Sequence, residues 1–227
     1  MSAVHLQDVS FSYKQNAPLL RIEDLLIDEG ERVLLYGPSG SGKTTLLGLV
    51  AGTLRAHTGD VRVLGRDMSR LSPSARDRHR GTEMGYILQR FNLIPYLSIR
   101  ENIALPCHVH AKRMKRITAS TLDGEIARIA EQLGLDGFLH EPVTRLTTSQ
   151  QQRVAIARAV IGAPRLVIAD ELTSSLDRDH QESFLHLLLD VCNESRSTLI
   201  FVSHDSSLIS RFERHLALVE INRVISC

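Results

Sequence analysis

Four short runs along the chain are almost continuously apolar: Val33-Leu34-Leu35-Tyr36, Gly85-Tyr86-Ile87-Leu88, Leu166-Val167-Ile168-Ala169 and Thr198-Leu199-Ile200-Phe201-Val202. A strand with one wet face alternates apolar and polar residues. A run without alternation reads as a parallel strand covered on both faces. Between these runs the period changes. Ile126, Ile129, Ala130 and Leu133 fall at i, i+3, i+4 and i+7, the spacing of an amphipathic helix, and Phe184, Leu185, Leu188 and Leu189 do the same. Strands alternating with helices predict an α/β fold with a mostly parallel sheet. The first thirty residues differ. Val9, Phe11 and Tyr13 alternate with polar neighbours, and Ile22 to Ile27 is another short strand, so a small antiparallel sheet is expected there. From about residue 90 to 158 helical periodicity prevails, which predicts a helical lobe inserted between core strands.

Composition narrows the function classes. Of 227 residues, 43% are hydrophobic and 23% charged, enough apolar material for a real core. The formal net charge of +1 gives no electrostatic reason to expect a nucleic-acid partner. Cys107, Cys192 and Cys227 lie far apart without a CxxC pair, against a disulfide framework or zinc site and in favour of a reducing cytoplasm. The opening MSAVHLQDVSFSY lacks the apolar run of a signal peptide. No stretch approaches the ~18 uninterrupted apolar residues of a spanning helix. Any membrane role is therefore expected to run through a partner.

The strongest chemical signal is Gly37-Pro38-Ser39-Gly40-Ser41-Gly42-Lys43-Thr44, which matches G-x-x-x-x-G-K-[ST]. It follows the strand 33–36 and precedes the helical run Thr45-Leu46-Leu47-Gly48-Leu49-Val50, the context this motif requires. Glycines let backbone N–H groups curl around phosphate oxygens, and the helix adds the positive end of its dipole. Lys43 is expected to reach the β- and γ-phosphates and the Thr44 hydroxyl to bind Mg²⁺. The run 166–169 then ends in Asp170 and Glu171. Asp170 suits Mg²⁺, and Glu171 suits a general base acting on the attacking water. Gly37, Gln89, Asp170 and His204 all stand at carboxyl ends of predicted strands, where α/β sheets bind ligands.

With these residues in order the chain resembles the ATP-binding cassette family over nearly its whole length. The resemblance implies a P-loop NTPase (RecA-like) core at 1–89 and 159–227, an N-terminal antiparallel β-subdomain and a helical lobe at 90–158, all in one ATPase domain. It makes Gln89 of Tyr-Ile-Leu-Gln similar to the family's Q-loop glutamine, which senses Mg²⁺ and the attacking water. His204 of Phe-Val-Ser-His-Asp resembles the switch histidine that contacts the γ-phosphate. Ser174-Ser175-Leu176-Asp177 resembles the D-loop of the dimer interface. Tyr13 resembles the aromatic that stacks on adenine; alternatively it joins Val9 and Phe11 in the core. The stretch Phe91 to Pro106 is similar to the lipoprotein-release and macrolide-export branch.

Two segments depart from the family pattern. Its L-S-G-G-Q signature reads Leu146-Thr147-Thr148-Ser149-Gln150 here. Thr147 keeps a hydroxyl, but Thr148 and Ser149 replace glycines that permit close approach and unusual φ. By resemblance, Thr147 and Ser149 reach the partner copy's nucleotide. Alternatively, Thr148 or Ser149 caps the helix starting near Gln150. Leu172 stands where the family usually has proline. Two basic runs, His108 to Arg116 and Arg76 to Arg80, read as solvated surface; the first alternatively faces lipid headgroups or an acidic patch of a partner.

The expectation is an ATP- and Mg²⁺-dependent ATPase that dimerises with a second copy and drives an integral membrane permease subunit, for export or extraction, from the cytoplasmic face. The ligands are phosphate-loop residues 37–45, including Thr45, with Thr44, Gln89 and Asp170 toward the metal. Lys43, Glu171, His204 and Gln89 carry the chemistry. Two rivals remain: a soluble cassette acting on DNA or ribosomes, and a nucleotide-binding regulatory module that barely hydrolyses ATP.

Overall fold

The computed structural model describes residues 1–14, 17–117, 121–171 and 178–224, and side chains throughout these except at 178–180. The chain opens with two long strands, β1 (Ser2–Lys14) and β2 (Ala17–Asp28), paired antiparallel with Phe11 opposite Leu20 and Val9 opposite Ile22. Next come β3 (Arg32–Tyr36), α1 (Lys43–Val50), β4 (Thr58–Val63) and the two-residue β5 (Arg66–Asp67). The order β2-β1-β4-β5 makes a four-stranded antiparallel sheet, larger than the two strands expected. Only Val61 and Val63 of β4 are buried, so its apolar signal is faint.

α2 (Pro73–Glu83), capped by Ser72, leads into β6 (Met84–Ile87). Among the described residues four α-helices then follow without an intervening strand: α3 (Ile99–Val109), α4 (Ala111–Met114), α5 (Leu122–Gln132) and α6 (Thr148–Val160). β7 (Leu166–Asp170), α7 (Arg178–Glu194), β8 (Thr198–Ser203), β9 (Arg214–Ala217) and α8 (Leu218–Ile221) complete the described chain. The second sheet is parallel with order β6-β7-β8-β3-β9. Strands β7 and β8 are buried at every position, as their uninterrupted apolar runs require.

Alternate residues of the parallel strands serve two different cores. Val33, Leu35, Ile168, Ile200 and Val202 pack with α1 and the antiparallel sheet. Leu34, Val167, Ala169, Leu199 and Phe201 pack with α3, α5, α6 and α7. The helical lobe thus lies on one face of the parallel sheet. Where α6 meets β6 the approach is close. A Cβ on Gly85 would stand 2.2 Å from the carbonyl oxygen of Ala159, so only glycine admits the helix there.

The expectation that His108 to Arg116 is a solvated face fails at Arg113. That side chain is 2% exposed. Its guanidinium donates to the carbonyls of Gly81 (3.0 Å), Ala159 (3.2 Å), Ile161 (3.1 Å) and Met84. Arg116 beside it grips both carboxylate oxygens of Glu83. The other basic run forms much of α2, and Arg76, His79 and Arg80 are half-buried rather than wholly surface. His79 bonds the Val63 carbonyl and Arg80 that of Ala51.

Candidate functional site

The phosphate loop runs from the end of β3 into α1. Gly40 and Gly42 have φ of +79° and +102°, the left-handed region that L side chains avoid. At Gly42 space is short as well, since a Cβ would meet Leu20 at 2.8 Å. Pro38, Ser39 and Gly40 are exposed along the crown of the loop, whereas Gly37, Ser41 and Lys43 are buried. Lys43 Nζ donates to the carbonyls of Gly37 (2.9 Å) and Pro38 (3.0 Å) and lies 3.4 Å from Glu171 Oε1. Thr44 is exposed at the start of α1, and Thr45 is buried.

Register brings the strand ends together. Tyr36 pairs with Ser203, Asp170 with Val202 and Ile87 with Ala169, so the carboxyl ends of β3, β8, β7 and β6 form one edge. Asp170 closes β7 on that edge. Burial pushes its carboxyl up to about 6, the neighbouring Glu171 charge adds to the rise, and Lys43 opposes it. Glu171 has φ of +49° and anchors through its N–H to the Val202 carbonyl at 3.0 Å. A non-glycine residue held left-handed beside a loop of this kind is stored strain. Tyr86 on β6 is the neighbour that the sequence did not reveal. Burial, with the Asp170 charge, holds its hydroxyl far above the usual phenol range.

Two buried oxygens at this edge, Asp170 Oδ1 and Ser41 Oγ, have no hydrogen-bond partner. A buried carboxylate oxygen left unsatisfied suits a hard cation such as Mg²⁺, and an unpaired hydroxyl beside left-handed glycines suits a phosphate oxygen. The residues present therefore fit both Mg²⁺ and a nucleotide phosphate chain.

Gln89 and His204 lie just past β6 and β8, both exposed. Gln89 sits in a turn closed by the Phe91 N–H on the Leu88 carbonyl at 2.8 Å. Asp205, next to His204, accepts from the Ser207 N–H at 2.8 Å, and bonds to Ser207 hold its carboxyl below the usual range. Tyr13 does not join the core. Its ring is 66% exposed, stands edge-on to buried Phe11 at 5.0 Å, and shares a 3.3 Å hydrogen bond with Thr45.

The signature segment differs from expectation in two ways. The helix cap is Thr147, not Thr148 or Ser149, and α6 begins at Thr148, two residues before Gln150. The Thr147 hydroxyl accepts from Gln150 N–H while the Gln150 side chain accepts from Thr147 N–H at 3.0 Å, a full capping box. Neither Thr148 nor Ser149 is among the residues of positive φ. Glycine-only backbone is thus not needed there, and side-chain bulk is what the replacements change. The D-loop segment Ser174-Ser175-Leu176-Asp177 and Leu172 lie outside the described residues.

The pattern of the ABC transporter family matches residues 20–174. The chain belongs to the ABC transporter family. Among its relatives, the lipoprotein-releasing system ATP-binding protein LolD of Anaeromyxobacter dehalogenans is 39% identical over 203 residues, 89% of this chain and 83% of that one. The ABC transporter ATP-binding protein YbbA of Escherichia coli is 38% identical across 86% of this chain and 84% of its own. The macrolide export ATP-binding/permease protein MacB of Sodalis glossinidius is 34% identical over 98% of this chain, which spans 34% of that longer protein. These relatives fall in the branch that the Phe91–Pro106 stretch resembles. In three dimensions the chain is similar to the ATP-binding cassette MJ0796, solved as a dimer in a post-hydrolysis state with ADP and Pi. The TM-score is 0.79 at 30% identity, covering 95% of this chain and 94% of that one. The fold is that of a P-loop cassette, and the protein is an ABC ATPase. No helix among the described residues is long and apolar enough to cross a membrane.

Proposed function

We propose that this ATPase powers a separate membrane-spanning permease, as a pair of cassettes closing on two ATP·Mg²⁺, in export or extraction of a substrate from the membrane. The observation that carries the site reading is the 3.4 Å approach of Lys43 to Glu171 beside the unsatisfied Asp170 oxygen. In this reading one ABC domain comprises a core of 1–89 and 159–227 and a lobe of 90–158. Lys43 supplies the point charge for the β- and γ-phosphates. The Gly37–Thr45 backbone and hydroxyls cradle the phosphates, and Tyr13 offers its open face to adenine.

Thr44, Asp170 and Gln89 would hold Mg²⁺, which supplies positive charge to the β- and γ-phosphate oxygens when bound. Glu171 Oε1 accepts the proton of the attacking water, and its left-handed backbone holds the carboxylate toward Lys43. His204 contacts the γ-phosphate. Thr147 and Ser149 reach across to the nucleotide of the second copy. The permease docks beside the loop after Gln89, where Tyr96 is 83% exposed, and holds the chain at the cytoplasmic face.

The test is Glu171→Gln. The amide keeps the shape but cannot take a proton, so hydrolysis should fall by about 10²–10⁴ while ATP binding persists. Size-exclusion chromatography with ATP should show a trapped dimer. Parental turnover in this variant would remove Glu171 from the base role.

A further inference from the structure

α6 carries an arginine where its surroundings call for an apolar residue. Val154, Ala155, Ile156, Ala157, Ala159 and Val160 are all buried, and Arg158 interrupts them half-buried. Burial lowers its pKa, so the position disfavours the charge it carries. Among the described residues no carboxylate pairs with it. Instead the guanidinium donates to two consecutive backbone carbonyls, Asn92 O at 2.7 Å and Phe91 O.

Those two residues are unusual in themselves. Phe91 and Asn92 have φ of +56° and +48°, a left-handed pair without glycine. Asparagine tolerates this conformation, but at Phe91 it costs free energy and persists only where the surroundings impose it. Phe91 is buried in the lobe core, which fixes its ring, and Arg158 fixes both carbonyls. Phe91 N–H closes the turn from Leu88 that contains Gln89. A line of contacts therefore runs from α6 through Arg158 to the left-handed pair and into the turn bearing Gln89. The start of this line is rigid, because Ala159, the next residue of α6, abuts Gly85 of β6.

We infer that Arg158 is a positioning residue for Gln89. It holds the 88–92 turn in its strained shape, and this rests on the proposed role of Gln89 in hydrolysis. One helix thus presents the signature segment at its first turn and steadies the Gln89 loop near its last. A planar two-pronged donor suits two adjacent carbonyls, whereas lysine offers a single point charge.

The test uses the full chain with Arg158→Met, Arg158→Lys, Gln89→Ala and the Arg158→Met/Gln89→Ala double variant. The readouts are nucleotide-free amide hydrogen exchange, melting temperature, and kcat and KM for ATP. In Arg158→Met, exchange at 89–93 should rise about tenfold, with the rest of the chain within about twofold. The kcat should fall about tenfold with KM nearly unchanged, and Arg158→Lys should restore part of both. On the Gln89→Ala background Arg158→Met should add less than about twofold, because the two act through one element. Unchanged exchange at 89–93, or losses in kcat that multiply in the double variant, would overturn the inference while leaving Gln89 its role. If Arg158→Met does not fold, Arg158→Lys decides by the same exchange and kcat readouts. Parental kcat in Gln89→Ala would withdraw the role of Gln89 and this inference with it.

Discussion

The carboxyl edge of the parallel sheet and the first turn of α6 are the two segments expected to meet ATP, and they are built on opposite terms. The edge holds strain. Gly40, Gly42 and Glu171 are left-handed, Asp170 is buried with an unpaired oxygen, and Ser41 has a hydroxyl without a partner. The first turn of α6 holds none of these. It has ordinary φ and a reciprocal capping box. The difference explains why one motif is intact and the other has drifted. Glycine in the phosphate loop answers a conformational demand that side chains cannot meet. Glycine in the signature answers, at most, a demand for room. Thr148 and Ser149 could therefore replace it without cost to the fold.

The sharpest way to break this contrast is Gly42→Ala. The added methyl meets both a φ of +102° and Leu20, so strain and displacement together should cost roughly 3 kcal/mol and abolish ATP binding. Gly40→Ala shares the left-handed φ but has open space around its Cβ, and should cost only about 1 kcal/mol. Urea unfolding and ATP calorimetry measure both. Equal costs would mean that φ alone sets the penalty.

A smaller effect is expected from Asp170→Asn. The folded chain keeps the Asp170 proton up to about pH 6, while the unfolded chain releases it near 3.8. Between those values the folded state binds more protons, so this group's contribution to stability is lost as pH rises from about 4 to 6. The amide mimics the protonated form. The nucleotide-free variant should be more stable than its parent by about 2 kcal/mol at pH 7, converging with it near pH 4. Denaturant midpoints against pH report this, and a constant offset at all pH values would contradict the burial argument.

The smallest effect should follow Thr148→Gly with Ser149→Gly. Helix propensity predicts a stability loss below about 1 kcal/mol. Removing two side chains from the proposed dimer interface beside phosphate should raise ATPase turnover about threefold with the proposed permease present, equivalent to well under 1.4 kcal/mol. Steady-state rates with melting temperatures as control decide it. A slower variant at equal stability would assign the hydroxyls phosphate contacts of their own.

What was legible in the chain was whatever side chains announce. The central strands showed themselves because burial on both faces leaves an unbroken apolar run, and the phosphate loop because lysine and glycines sit at fixed offsets between strand and helix. β9 did not, since Arg214-His215-Leu216-Ala217 lies at the sheet edge and buries only Ala217. Arg113 and Arg158 escaped for another reason. Their partners are backbone carbonyls from distant segments, and a carbonyl leaves no mark in a sequence. For Arg158 the one available sign was an arginine amid alanines and valines that α6 buries. Thr147 as cap was half visible, because Gln150 three residues on completes a capping box.

The seating of Arg113 carries a consequence for how this cassette can be recombined. Its four acceptors, at Gly81, Met84, Ala159 and Ile161, are main-chain oxygens on both sides of the lobe. A socket made of peptide groups survives almost any drift in the residues that form it. Two glycines beside it are less free: a Cβ on Gly162 would stand 2.8 Å from the Arg113 carbonyl oxygen, and one on Gly81 would meet the His110 ring, which the lobe itself supplies, at 1.9 Å. A lobe exchanged between relatives would find this socket waiting, provided that it arrives with the arginine, meets a glycine at 162 and brings a ring against residue 81 only where that residue is glycine. Inheritance of this joint is lodged in one cation and in the absent methyl groups beside it, whatever else the lobe carries.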